Sequence, residues 1–202
     1  MRLTTVAAAA AVAMVAVAGG ALLTPHPDTT GARTSVDLAG NTVQLDGPPP
    51  RASAPSAGHG RFVVDSVGLD VPLGSLDVAD GVIDPPGATS AYWVRNLGVA
   101  PSAAPHGTVF VAMHSLRGGG VGPGNALIDV ADGRARVTAG ATITVDDVTY
   151  QVTRTEIVPK GDIRADARIW ADTPDRLVVV TCLQRPDGRP SVDNAVIEAR
   201  RV

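Results

Sequence analysis

Residues 61–202 consist of short apolar runs separated by Gly, Pro and Asp turns, and this pattern limits the fold more than any other feature. Only two segments, residues 100–104 and 164–171, are predicted to form a helical turn. Short strands at this spacing favour an all-β domain with a closed or nearly closed β-barrel. About eight strands are predicted, at 61–67, 68–76, 108–114, 127–130, 141–145, 148–158, 176–181 and 194–202, with 91–94 as a further short apolar piece.

The chain begins with an apolar segment. Residues 3–23 carry no charge and are rich in Ala and Val, and Arg2 precedes them. At about 21 residues the segment just spans a bilayer core. We therefore predict an N-terminal membrane helix over residues 1–23, with the rest of the chain exported. Cleavage of the segment stays open because Ala16-Val17-Ala18 fits a signal-peptidase site, although a retained anchor is favoured.

Residues 24–60 are rich in Pro, Gly, Ala, Ser and Thr, which is typical of a linker. Within it, residues 34–45 alternate weakly and are consistent with an extra strand. The flanking Gly and Pro residues favour a disordered stalk instead. We expect this stalk to lift the domain at 61–202 off a membrane surface.

Composition argues against several classes of function. The net charge is −3, with 18% charged and 3% aromatic residues, so neither a basic patch nor a set of stacking aromatics is available to bind nucleic acid. The glycine-rich stretch 116–125 lacks the Gly-Lys-Ser/Thr ending of a phosphate loop and is interpreted as a mobile loop at the rim of a site. The aspartates at 129, 132, 146 and 147 are too scattered for a calcium loop. We expect no metal and no cofactor.

Cys182 is the only cysteine, and it ends the apolar run at 176–182. Exported proteins usually use cysteines in pairs, as disulfides. A single one is a reactive thiol, a partner for another chain, or a small buried hydrophobe. The end of a strand favours the reactive thiol.

A histidine occupies a similar position on another strand. His114 ends the run at 108–113, so two neighbouring strands could bring its imidazole and the Cys182 thiol to one rim. Arg185 and Arg189 follow the cysteine closely. A guanidinium there would favour the thiolate and could donate to an oxyanion, although a solvated turn also explains both arginines.

At these residues the sequence resembles the sortases, cysteine transpeptidases of Gram-positive cell surfaces, and among them the actinobacterial classes E and F. The resemblance covers residues 61–202 and rests on the strand at 177–182, the strand at 108–114, and the opening strands at 61–73 with the turn at 80–86. It implies an eight-stranded β-barrel behind a membrane anchor. It also implies that Cys182 is the nucleophile and His114 the general acid and base.

Two positions depart from the family pattern. Met113 stands where the family most often has Gly before the histidine. The family's arginine lies at or just before the last strand, and residues 191–197 contain none. Arg189 is the nearest candidate for that role, and Arg185 is the alternative.

The resemblance implies that Cys182 cleaves a sorting motif near the C-terminus of a secreted protein through a thioester. The acyl group would pass to an amine of a peptidoglycan precursor or a pilin, or to water. The enzyme would sit in the cell membrane through a single N-terminal span, with its catalytic domain outside. Two alternatives stay open. One is an L,D-transpeptidase-like wall enzyme, whose usual His and Ser-any-Gly-Cys cluster is absent, and the other is an anchored β-barrel binding module with an inert cysteine.

Overall fold

The computed structural model describes residues 33–45 and 60–202. The predicted membrane helix at 1–23 and the linker residues 24–32 and 46–59 lie outside the described residues. Within the described ranges, no helix combines the length and the apolar character needed to cross a membrane.

Short strands dominate the described part of the chain. Turns of 3₁₀ helix occur at Asp65–Val67, Pro101–His106 and Ile163–Ala165. The other elements, in chain order, are β1 (Arg33–Val36), β2 (Thr42–Leu45), β3 (Gly60–Val64), β4 (Leu69–Leu76), β5 (Ala91–Gly98), β6 (Thr108–Ala112), α1 (Pro123–Leu127), β7 (Ile128–Asp129), β8 (Arg134–Ala135), β9 (Thr142–Val145), β10 (Val148–Pro159), β11 (Arg176–Leu183) and β12 (Asp193–Arg201).

Eight of these strands close into a barrel in the order β10-β12-β11-β6-β5-β4-β3-β9. The prediction of an all-β, eight-stranded closed barrel is therefore confirmed. The strand predicted at 127–130 is wrong as a barrel element, because Leu127 ends α1 and β7 pairs only with β8. β5 takes a place in the barrel instead. It runs beyond the apolar piece at 91–94 into exposed polar residues, which hide its length in the sequence.

The strand that ends near Cys182 is buried on both faces. Leu177 and Val179 pack in the barrel core with Phe62 and Tyr150. Their neighbour Val178 faces outward into a second cluster, which residues 163–170 cover. Burial on both faces explains why the run at 177–180 is continuously apolar, as a fully buried strand requires.

Residues 33–45 form a hairpin, β1 paired antiparallel with β2. The expectation that residues 34–45 belong to a disordered stalk is therefore wrong. The hairpin is held by residues distant in sequence: Leu45 packs against Ala88 and Leu116, and the Ala88 N–H donates to the Ser35 hydroxyl. Linker-like local composition gives no sign of such contacts.

Candidate active site

Three adjacent strands carry the polar groups of the candidate site. β11 lies between β6, its parallel neighbour, and β12, its antiparallel neighbour. Val180 is opposite Ala112, and Cys182 is opposite Asn194. Because side chains alternate along a strand, Cys182 and Asn194 share the outer face with Val178 and Val196. His114, two residues beyond Ala112, follows the same alternation.

His114, Cys182 and Asn194 line one cavity of about 600 Å³. The loop between β4 and β5 forms the facing side, and Gln44 and Leu45 of the hairpin complete part of the rim. A volume of this size lies in the range of ligand-binding pockets. Cys182 and His114, the two catalytic candidates from the sequence, therefore line the same cavity.

The cysteine is half-buried and forms no disulfide. Side-chain hydrogen bonds add to the strand pairing around Cys182. The Ser115 hydroxyl donates to the Cys182 carbonyl oxygen, and the Thr181 hydroxyl donates to the Met113 carbonyl oxygen at 2.9 Å. The Gln184 amide donates to Ser115 as well. These bonds tie the segment that carries the thiol to the segment that carries the imidazole.

Met113, the first departure from the family pattern, is 3% exposed and packs in the barrel core. The position near the histidine that has room only for glycine is Gly124. A Cβ there would lie 2.0 Å from the Thr181 hydroxyl oxygen, and the Gly124 N–H donates to the His114 carbonyl oxygen at 2.9 Å. Glycine thus lets the loop at 115–125 pack directly on the histidine segment.

The imidazole of His114 is held by the loop between β4 and β5. Its Nε2 lies 2.8 Å from the Pro85 carbonyl oxygen and 3.8 Å from Asp84 Oδ1. A carbonyl oxygen accepts and cannot donate, so Nε2 carries the hydrogen and Nδ1 is the basic nitrogen of the neutral ring. Asp84 in turn binds Arg33 of the hairpin, whose Nη2 lies 2.8 Å from both carboxylate oxygens.

Arg185 and Arg189 lie in the turn between β11 and β12, and neither lines the cavity. Each guanidinium lies 2.7 Å from the carboxylate of Asp187. Hydrogen bonds from the Arg189 backbone and side chain, together with Arg185, lower the pKa of Asp187. The side chain of Arg189 is 70% exposed. In this arrangement both arginines stabilise the turn, and their predicted role as oxyanion donors stays a prediction.

Among the polar residues at the cavity that the sequence does not predict are Asn194, Asp84 and Lys160. Asn194 lies at 191–197, where the family pattern expects an arginine, and its position depends on the register of β11 and β12. Asp84 was noted only as part of a turn. Lys160, the only lysine of the chain, lines the cavity. The local sequence gives no signal for these positions, because each depends on contacts between distant segments.

Comparisons with known proteins give structural matches alone. No family model matches the chain, and no curated protein matches it. Among solved structures, sortase A of Listeria monocytogenes matches with a TM-score of 0.50 at 18% identity, covering 73% of this chain and 88% of that one. A lid mutant of sortase A from Corynebacterium diphtheriae matches with a TM-score of 0.54 at 13% identity, covering 76% and 74%.

A pilus-related sortase C of Group B Streptococcus also matches, with a TM-score of 0.52 at 13% identity, covering 73% of this chain and 68% of that one. The chain has the sortase fold. Within this sortase fold, Cys182 and His114 stand at the carboxyl ends of β11 and β6. These three matched structures are sortases of classes A and C.

Proposed function

We propose that this chain is a cysteine transpeptidase of the sortase type. The observation that carries the proposal is the meeting of the Cys182 thiol and the His114 imidazole in one cavity of about 600 Å³. β6 and β11 are parallel neighbours, so their carboxyl ends lie at the same edge of the barrel. A thiol beside a base is the arrangement that covalent acyl transfer requires.

In the first half-reaction the thiol proton passes to His114, and Cys182 Sγ attacks the carbonyl carbon of a peptide bond. An Sγ–C bond forms, and the carbonyl oxygen becomes an oxyanion. Collapse of this intermediate breaks the C–N bond, and the departing amine takes the proton from His114. Since Nε2 donates to Pro85, Nδ1 is the nitrogen that receives and returns the proton. A thioester on Cys182 remains.

In the second half-reaction an acceptor amine attacks the thioester carbon and gives a proton to His114. The C–S bond breaks, the new amide leaves, and the proton returns to the thiol. Water in place of the amine gives hydrolysis through the same intermediate. The proposed donors are secreted proteins with a C-terminal sorting motif, and the proposed acceptors are amines of a peptidoglycan precursor or a pilin.

The proposed location is the cell membrane, with one N-terminal span over residues 1–23 and the catalytic domain outside. The uncharged segment at 3–23 supports this proposal. The narrower assignment to the actinobacterial class E or F type rests on the sequence resemblance in the strands at 61–73, 108–114 and 177–182.

The test is mass spectrometry of the purified full-length chain after incubation with a thiol-directed probe and, separately, with a set of sorting-motif peptides. We expect a selective adduct on Cys182 and a peptide thioester or cleaved product. The Cys182→Ala variant is the control and gives neither. Intact peptides, together with a thiol that reacts only after denaturation, would support the binding module instead.

A further inference from the structure

We infer that Asn194 is a further catalytic residue, whose side-chain amide donates a hydrogen bond to the oxyanion formed on Cys182. This inference rests on the proposed function, because an oxyanion arises only if the thiol attacks a carbonyl group. Acyl transfer needs such a donor, and the two arginines favoured by the sequence are both bound to Asp187.

The register of the barrel brings Asn194 to the thiol. Cys182 and Asn194 are direct partners across β11 and β12. Side chains of directly opposite residues share a face, and their Cβ atoms lie roughly 4.5–5.5 Å apart. A side-chain amide at this distance reaches the carbonyl oxygen of a group bonded to Sγ. The neighbouring pair on this face, Val180 and Val196, is apolar and offers no donor.

The burial of Asn194 indicates a role beyond the sheet. The residue is 9% exposed and lines the cavity, yet its amide makes no side-chain hydrogen bond with any part of the chain that the structure describes. The Asn194 amide atoms are not among the buried unpaired atoms of the described residues, so they open into the cavity rather than into the protein interior. Asparagine is depleted in strands, and an amide that faces the cavity here is available to a bound molecule.

The position of Asn194 is also fixed before any substrate arrives. Its backbone pairs with Cys182 on one side and with Val158 of β10 on the other. A donor held by two strand ladders needs little reorganisation when the oxyanion develops, which is the condition for efficient electrostatic catalysis. Because the amide is neutral, it stabilises the oxyanion without adding a charge beside the thiol.

Two reactions of the full-length chain distinguish stabilisation of the oxyanion by Asn194 from a change in the reactivity of the Cys182 thiol. Acylation of Cys182 by 4-nitrophenyl acetate passes through a tetrahedral oxyanion, whereas alkylation by iodoacetamide does not. We expect Asn194→Ala to slow acylation by about 10- to 1000-fold, the range for loss of one oxyanion donor. Alkylation should stay within about two-fold of wild type, because the thiol itself is unchanged.

Asn194→Asp keeps the size of the side chain but replaces the donor with an anion, so it should slow acylation at least as much as alanine does. Arg189→Ala tests the rival oxyanion donor in the adjacent turn, and it should not slow acylation selectively. Arg61→Ala, at an exposed pair with Asp70 away from the cavity, is the control that should leave both rates unchanged. Circular dichroism checks that each variant is folded.

Equal slowing of both reactions in Asn194→Ala would overturn the inference, because Asn194 would then act on the thiol. Normal acylation in that variant, or a loss in Arg189→Ala alone, would overturn it as well. A wild-type thiol that reacts with neither reagent would instead contradict the proposed function.

Discussion

The two sides of the cavity are held together by different forces. We call the ends of β6, β11 and β12, with His114, Cys182 and Asn194, the strand wall. We call the hairpin at 33–45 and the segment at 77–90 the loop wall. The strands of this wall belong to a closed barrel and pair in continuous ladders, and His114 follows two residues after the end of β6.

The loop wall depends on a few contacts between distant segments. They are the ion pair of Arg33 with Asp84, the bonds of Asp37 to the loop near Val121, and the packing of Leu45. Such contacts open locally at lower free energy than barrel strands do. The difference suggests that the backbone carrying the reacting groups lies on the rigid wall. The wall facing them, which also holds the His114 imidazole through Pro85, can open separately from the barrel.

The largest expected effect comes from removing chemistry from the strand wall. Cys182→Ala should abolish peptide cleavage, with a loss of at least about 10³-fold, because the thioester cannot form. His114→Ala should lose nearly as much, because both residues act in one covalent step. Steady-state kinetics with a sorting-motif peptide measure the loss, and thermal unfolding checks that stability is kept. Cleavage retained by Cys182→Ala would contradict the mechanism.

Substitutions of a buried residue in the barrel and of one in the hairpin compare the stability of the two walls. Ile197 is fully buried between the barrel ladders, and Ile197→Ala should lower the free energy of unfolding by about 2–5 kcal/mol. For a domain of this size that corresponds to a fall in Tm of roughly 5–15 °C. Leu45→Ala on the loop wall is the matched comparison. It should expose the hairpin to protease and leave the main unfolding transition in place.

If Leu45→Ala lowered the main transition as much as Ile197→Ala, the hairpin would unfold together with the barrel and the proposed independence of the two walls would be wrong. Scanning calorimetry measures the main transition. Limited proteolysis with mass spectrometry locates the first cut.

The sequence predicts the strand wall better than it predicts the loop wall. Strand period and turn residues predict the barrel, and they place Cys182 and His114 at strand ends that the structure brings to one cavity. The loop wall cannot be predicted from the sequence because its contacts join distant segments: Arg33 and Asp84 are 51 residues apart. The role of Asn194 cannot be predicted for a related reason, since only the register of β11 and β12 places it opposite Cys182.

The ion pair of the loop wall should contribute an intermediate amount. The side chains of Arg33 and Asp84 are 12% and 22% exposed, and two further guanidinium nitrogens of Arg33 are buried with no partner among the residues that the structure describes. Removing one member of such a pair should weaken hairpin docking by about 1–3 kcal/mol, between the values for surface and buried pairs. Hydrogen exchange of the β1 and β2 amides measures the change in Arg33→Ala and Asp84→Asn.

The double variant of Arg33→Ala and Asp84→Asn completes a thermodynamic cycle. We expect it to be less destabilised than the sum of the single variants, because neither charge is then left alone. Strictly additive effects would show that the two side chains do not interact in solution. Arg61→Ala, which breaks an exposed pair with Asp70 on the barrel, is a control that should leave hairpin exchange unchanged.

The smallest effect is the response of the loop wall to acid. Hydrogen bonds from the backbone N–H of Val121 first, and from those of Asn41 and Ala39, lower the pKa of Asp37 below its ordinary 3.8, although burial opposes them. The docked hairpin therefore favours the carboxylate. Its contribution is complete above about pH 5, where a free aspartate is almost fully ionised, and is lost as the pH falls through the lowered pKa.

Hydrogen exchange of the hairpin amides, corrected for intrinsic rates, should accordingly rise between about pH 5 and pH 3, while the amides of β11 stay protected. Asp37→Asn removes the titrating group, so its hairpin should exchange faster at pH 5 and respond less to acid. An equal acid response in wild type and Asp37→Asn would assign the effect to other carboxylates. A simultaneous loss of protection in β11 would mean that acid loosens the strand wall together with the loop wall, and the contrast between them would fail.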